Sequence, residues 1–217
     1  MAAKERTRFR DLIPEVENLA DMIFGLALSI GSLILVSTPP TNSRQILEDV
    51  IAFAYGFIIL VAIWQAFSQH MLVIKVETKG LLWVTYLMLF LVAIEPYLFN
   101  LITAPPPTAT SVEKIDELAS MLYATDLAGL MFALAFFSRA VMNQERVEDE
   151  LRRLFRGRRN AYLLAGAGFV ISMLPFFWSI SISISIFDLR LRFLIWIVAP
   201  LLILTNRLIR GRRMRLG

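Results

Sequence analysis

Residues 22–36 read MIFGLALSIGSLILV, fifteen positions without a charged side chain, and Asp21 stands directly before them. A helix that crosses a bilayer needs about 20 mostly apolar residues. Followed to its natural limits, this run extends from about Val16 to Ser37 and stops at Pro39–Pro40, which cannot continue a helix. Gly25, Ala27, Ser29, Gly31 and Ser32 alternate with bulky aliphatic residues. Leu26, Ile30 and Leu33 recur at i, i+4 and i+7, so they share one face, with Ser29 beside them. Two readings fit this stripe. Small residues let helices approach closely in lipid. An aliphatic stripe turned toward a symmetry axis instead makes a narrow constriction that gates by dewetting. On pattern alone, packing is the simpler of the two.

The rest of the chain has the same character. Of 217 residues, 57% are hydrophobic and 18% charged, and mean hydropathy is +0.64. Soluble domains average about 45–50% apolar and about 25% charged, so one soluble core could not hide this much apolar surface. Five further apolar segments follow the first, at about 47–74, 81–103, 118–142, 161–182 and 193–206. The predicted fold class is therefore all-α: a polytopic membrane protein whose single domain, 1–217, holds six transmembrane helices, the first at 16–37. Pro105, Pro106 and Pro107 end the third segment, while Pro96, Pro175 and Pro200 predict kinks whose freed carbonyls neighbours must satisfy. Ser179–Ile186 alternates serine and isoleucine, a strand signal. An open strand edge in hydrocarbon would leave backbone groups unpaired, so the expectation is the outer end of the fifth helix with an extracellular loop.

The formal charge is +4. The basic residues lie between and after the apolar segments, so they read as topology signals rather than as a nucleic-acid surface. With the first residues inside, 18 of the 22 Lys and Arg fall on the inner side, and only Arg44, Lys114, Arg190 and Arg192 fall outside. Both termini are thus expected in the cytoplasm. No cleavable signal pattern is read at the start. The long inner connection, QERVEDELRRLFRGRR at 144–159, is amphipathic and basic. It reads as a cytoplasmic extension of the fourth helix and a topology anchor, or as a contact for lipid headgroups.

Few residues could support chemistry. Cysteine is absent and His70 is the single histidine, so neither a thiolate site nor a histidine cluster within one chain can form. No Gly-rich phosphate loop, nucleophile elbow or metal-ligand spacing is present, so neither enzyme activity nor a cofactor is expected. The Ala-Gly-Ala-Gly run at 165–168 reads as close helix packing. Acids in apolar segments are costly and weigh more: Asp21 at the start of the first helix, Glu95 beside Pro96, and Asp126 near Tyr123. Asp21 reads either as a boundary acid favoured by the helix dipole or as an anchor that orients the first helix.

The chain resembles the transmembrane protein 175 family of potassium channels in its prokaryotic six-span form. That family opens its first helix with Arg-x-x-x-Phe-Ser-Asp. The matching stretch here is EVENLADMIFGLALSI at 15–30, in which Asp21 keeps the acid, Leu19 and Ala20 replace Phe and Ser, and Glu15 stands at the Arg position. The second helix, GFIILVAIWQAFSQH at 56–70, is similar to the family's Trp-x-x-His-His. Either Trp64 is the tryptophan, with Phe67 and Ser68 at the histidine positions, or Phe67 takes the aromatic role and His70 is the first histidine. LLWVTYLMLFLVAIEP at 81–96 and LYATDLAGL at 122–130 match the starts of the family's third and fourth helices.

The resemblance covers essentially the whole chain. It implies a homotetrameric, passive potassium channel with the first helix around the pore, monovalent cations as permeants and the lipid bilayer as its other partner. It places Leu26, Ile30 and Leu33 on the pore-lining aliphatic positions and Ser29 on the neighbouring hydroxyl position. It also groups Asp21 with Trp64 and His70 as the network anchoring the first helix. The family lacks a Thr-Val-Gly-Tyr-Gly filter, and so does this sequence. The alternatives are a secondary transporter, for which Glu95–Pro96 and Asp126 offer polar midplane groups, and a non-conducting membrane scaffold.

Overall fold

A computed structural model describes residues 13–37, 42–74, 79–103, 112–144, 147–174, 176–179, 181–184, 187–190 and 196. The helices are α1 (Ile13–Ser37), α2 (Ser43–Met71), α3 (Lys79–Thr103), α4 (Val112–Met142), α5 (Asp149–Ser172) and the single turn α6 (Phe176–Ser179). Two short strands follow, β1 (Ser181–Ile184) and β2 (Phe187–Arg190). Among the described residues, four helices are long and apolar enough to cross a membrane, over Val16–Leu33, Ser43–Met71, Lys79–Ile102 and Glu117–Met142. The 25 residues of α1 rise about 37 Å, which exceeds a hydrocarbon core of about 30 Å. The expected sixth span, 193–206, lies outside the described residues except for Trp196, as do 1–12 and 197–217, which contain the two ends expected in the cytoplasm.

The chain divides into two compact units, Met1–Tyr123 with Asn143–Glu145 and Ala124–Met142 with Arg146–Gly217. In the first unit α1 packs on α2 and α3, which also pack on each other. Each helix buries one stripe: Val16, Ala20, Phe24 and Ala27 on α1; Ile59, Ile63, Ala66 and His70 on α2; Leu81, Thr85, Met88, Val92 and Glu95 on α3. The opposite faces are apolar as well. Met22, Leu26 and Leu33 on α1, Val50, Phe57 and Ile58 on α2, and Trp83, Leu87 and Phe90 on α3 all point outward. With apolar side chains both inside and outside, so large an exposed apolar surface calls for lipid or another chain to cover it. On α3, exposed Trp83 and Tyr86 lie near one end and exposed Tyr97 toward the other. Trp83 and Tyr97 are about 21 Å apart along the axis.

In the second unit α4 and α5 run antiparallel, with Phe132 opposite Gly166 and Thr125 opposite Met173. Gly166 permits the close approach: a Cβ built there would lie 2.7 Å from Phe132 Cε1. The packing reading of Ala-Gly-Ala-Gly therefore has a specific site. Gly166→Val is expected to cost about 1–3 kcal/mol through overpacking. The cost should show as a lower melting temperature in detergent that Phe132→Leu partly restores; a melting temperature that stays put would place the contact elsewhere.

Several boundaries depart from the sequence reading. The segment at 144–159 does not extend the fourth helix: α4 ends at Met142 and α5 starts at Asp149, with Asp149 and Glu150 in its first turn, where acids complement the helix dipole. The fifth segment is not one helix over 161–182. Met173 and Leu174 bond back to Val170 and Ile171 at 3.2 and 3.0 Å, tightening the last turn just before Pro175, and residues that precede proline leave the α region. The part of α5 that follows its arginines, residues 160–172, rises only about 20 Å. The serine–isoleucine alternation forms β1 rather than a helix end, paired antiparallel with β2 in the register Ser181–Arg190 to Ile184–Phe187. A two-residue gap between the strands explains why: a hairpin supplies the partner edge that a lone strand lacks.

Candidate functional site

The face of α1 away from its neighbours is built by the stripe singled out in the sequence. Leu26 and Leu33 are 60% and 65% exposed, Ile30 is 38% exposed, and Met22 extends the line one turn earlier. Ser29 lies exposed among them. Its Oγ donates to the Gly25 carbonyl at 2.8 Å, and Ser32 Oγ donates to the Ser29 carbonyl at 2.7 Å. Each hydroxyl therefore satisfies its proton within the helix and leaves oxygen lone pairs available outward. Gly25 has nothing within 4 Å of where a Cβ would stand, and so belongs to the same uncovered face.

Asp21, one turn before the stripe, ties α1 to α2. Trp64 Nε1 donates to Asp21 Oδ1 at 2.8 Å. Nearby, the rings of Phe24 and Phe67 meet at 6.3 Å, and Gly31 approaches Phe53 toward the far end of the pair. Of the three residues assigned to the anchoring network, the structure joins Asp21 and Trp64. His70 is fully buried, six residues further along α2, and its Nδ1 lies 2.6 Å from the Ala66 carbonyl of its own helix.

The two interior acids occupy different units. Glu95 is 2% exposed within the first, and Tyr123 Oη donates to its Oε1 at 3.3 Å. Phe99, one turn on, stands between Tyr55 and Tyr123, with ring separations of 6.2 and 5.6 Å. Gly56 lets α2 close over this group: a Cβ there would sit 3.7 Å from Phe99 and 3.8 Å from Glu95 Oε1. Asp126 is buried in the second unit, next to Thr125, whose Oγ1 contacts Met173 Sδ at 3.2 Å. Tyr55, Gly56 and Phe99 escaped the sequence reading. Phe99 stands at i+4 from Glu95, a helical neighbour signal, but no spacing rule links either residue to Tyr55 on another helix. No family model, curated protein or solved structure matches the chain.

Proposed function

We propose that the protein is a passive, potassium-permeable channel: a homotetramer in the prokaryotic plasma membrane, with α1 around the central axis. The observation supporting this reading is the two-sided build of α1. One face seals against α2 and α3 through Val16, Ala20, Phe24 and Ala27, while the other presents Leu26, Ser29, Ile30 and Leu33 uncovered. Four copies meeting on that face would make three aliphatic rings, about 6 and 4.5 Å apart along the axis from a rise of 1.5 Å per residue. Water in so apolar a tube is unstable, so the rings act as the barrier. The serine oxygens, with their protons spent on the helix, offer the dipoles a cation needs. Selectivity is modest, because no ring of backbone carbonyls replaces the hydration shell. The proposal includes six spans with both termini inside. It contains no enzymatic step and no cofactor, and potassium enters only as the permeant ion.

Glu95, buried under Tyr123, favours one second reading, a secondary transporter with a polar group at the midplane. Flux into liposomes separates the two. A channel passes potassium in proportion to the driving force, whereas a transporter saturates and couples to a second ion. A scaffold gives no flux. Topology has its own test, since the chain holds no cysteine to confuse labelling. Single cysteines near Gly217 are expected to be protected in intact cells, and those near Thr108 to be labelled from outside. The reverse pattern would end the six-span proposal.

A further inference from the structure

On both helices of the second unit the outward face changes from apolar to basic. On α4 the exposed line runs Phe132, Phe136, then Arg139. On α5 it runs Arg153, Arg156, Asn160, then Leu163 and Leu164. The contacts of Phe132 with Gly166 and of Thr125 with Met173 fix the antiparallel register, in which the two numbers sum to the same value. Carried along both helices, that register sets Arg139 level with residue 159. Arg156 then lies about 4.5 Å beyond that level and Arg153 about 9 Å beyond it. The two changes of polarity therefore fall at one height, although they come from separate helices running in opposite directions.

Other nearby arginines have partners: Arg152 pairs with Asp149 at 4.0 Å, Arg158 sits 5.1 Å over the Phe155 ring, and Arg159 donates to Asn160 Oδ1 at 3.1 Å. Among the described residues, no ion pair or side-chain hydrogen bond engages Arg139, Arg153 or Arg156. From this geometry we infer that Arg139, Arg153 and Arg156 form a binding patch for the phosphates of anionic lipid. Phe132, Phe136, Leu163 and Leu164 lie against the acyl chains directly beneath it. Guanidinium groups suit phosphate because their planar fork gives paired, charge-assisted hydrogen bonds. The apolar faces below select a lipid rather than a free anion, since only a lipid offers phosphate and hydrocarbon at adjoining depths. On the inward-terminus topology this patch faces the cytoplasmic leaflet, where anionic headgroups attract basic side chains near the surface. The inference rests on the membrane reading of α4 and α5 and not on conduction, so loss of lipid preference and loss of flux are separate results.

The test uses the full chain in nanodiscs of equimolar phosphatidylglycerol and phosphatidylcholine, followed by detergent extraction and a count of the lipids that stay bound. The wild type is expected to retain phosphatidylglycerol preferentially. Each arginine near an anionic surface adds about fivefold to that preference. Combined Arg139→Gln, Arg153→Gln and Arg156→Gln should therefore lower the retained ratio at least about tenfold. Arg44→Gln, the same loss of charge on exposed Arg44 at the start of α2, should leave the ratio unchanged. Arg153→Lys with Arg156→Lys should keep most of the preference, and excess inorganic phosphate at matched ionic strength should not compete. If the triple variant fails to fold, single glutamine exchanges at the exposed Arg153 and Arg156 give the same reading. An unchanged ratio, an equal loss with Arg44→Gln, or competition by free phosphate would each overturn the patch.

Discussion

Replacing Leu26 or Ile30 with alanine is expected to raise potassium flux about tenfold. If the uncovered face of α1 surrounds the axis, each substitution removes four side-chain tips from one ring at once. The barrier there is the loss of hydration in an apolar tube, and widening one ring by several ångströms lets water stay with the ion. A tenfold change corresponds to about 1.4 kcal/mol of barrier, a small share of the cost of stripping an ion. Ile30→Asn should act differently. It wets the ring with amide dipoles, so flux should rise while the preference for potassium over sodium falls. If α1 faces lipid instead, the exposure of Leu26 and Leu33 in the single chain is ordinary, and the same substitutions should leave permeability as it was. Flux measured beside tetramer melting separates the outcomes, and no change in flux for all three variants would return the stripe to the packing reading.

Breaking the bond between Asp21 and Trp64 is expected to loosen α1. The 2.8 Å contact is charge-assisted and joins two helices at the root of the stripe. Hydrogen bonds to charged groups contribute about 1.5–3 kcal/mol in water-soluble proteins, but interhelical bonds in membranes average nearer 0.6 kcal/mol. Both side chains are partly exposed, so about 1 kcal/mol is the expected coupling. Trp64→Phe keeps the ring and removes the donor, whereas Asp21→Leu removes the acceptor. A double-mutant cycle on melting in detergent should give a non-additive term of that size. Asp21→Asn keeps one carbonyl acceptor and should lose only part of it. Strict additivity would mean that the contact contributes nothing. Flux should fall alongside stability in Asp21→Leu, because a tilted α1 no longer aligns its stripe.

The long helices were legible because apolar runs of 20 or more residues have few other uses, and α1 ends at Ser37 as the following prolines require. Asp21 and Trp64 were linked only through a resemblance, since 43 residues separate them and no periodicity spans two helices. The fifth segment was misread because hydropathy treats Ala161–Ile182 as one run. Pro175 and the serine–isoleucine alternation argue against a single helix, and they act through backbone hydrogen bonds that a composition window ignores. The start of α5 at Asp149 was hidden for a similar reason. Its arginine-rich first half falls outside any apolar window and, being amphipathic, reads as a continuation of the fourth helix; only the line Phe155, Tyr162, Phe169 marks its buried face. The Glu95 group needed three dimensions, because Tyr55, Gly56 and Tyr123 come from helices whose rotation sequence does not specify.

The seat of Phe132 against Gly166 also limits how the second unit can move. Sliding α5 past α4 by one helical turn, about 5.4 Å, would bring Tyr162 or Val170 to the ring in place of a hydrogen atom. Both are too large for a gap that already excludes a methyl group. One-turn axial travel between the two helices therefore carries an overpacking cost of the kind expected for Gly166→Val. The register that seats Phe132 on Gly166 is thus favoured over the register one turn away in either direction.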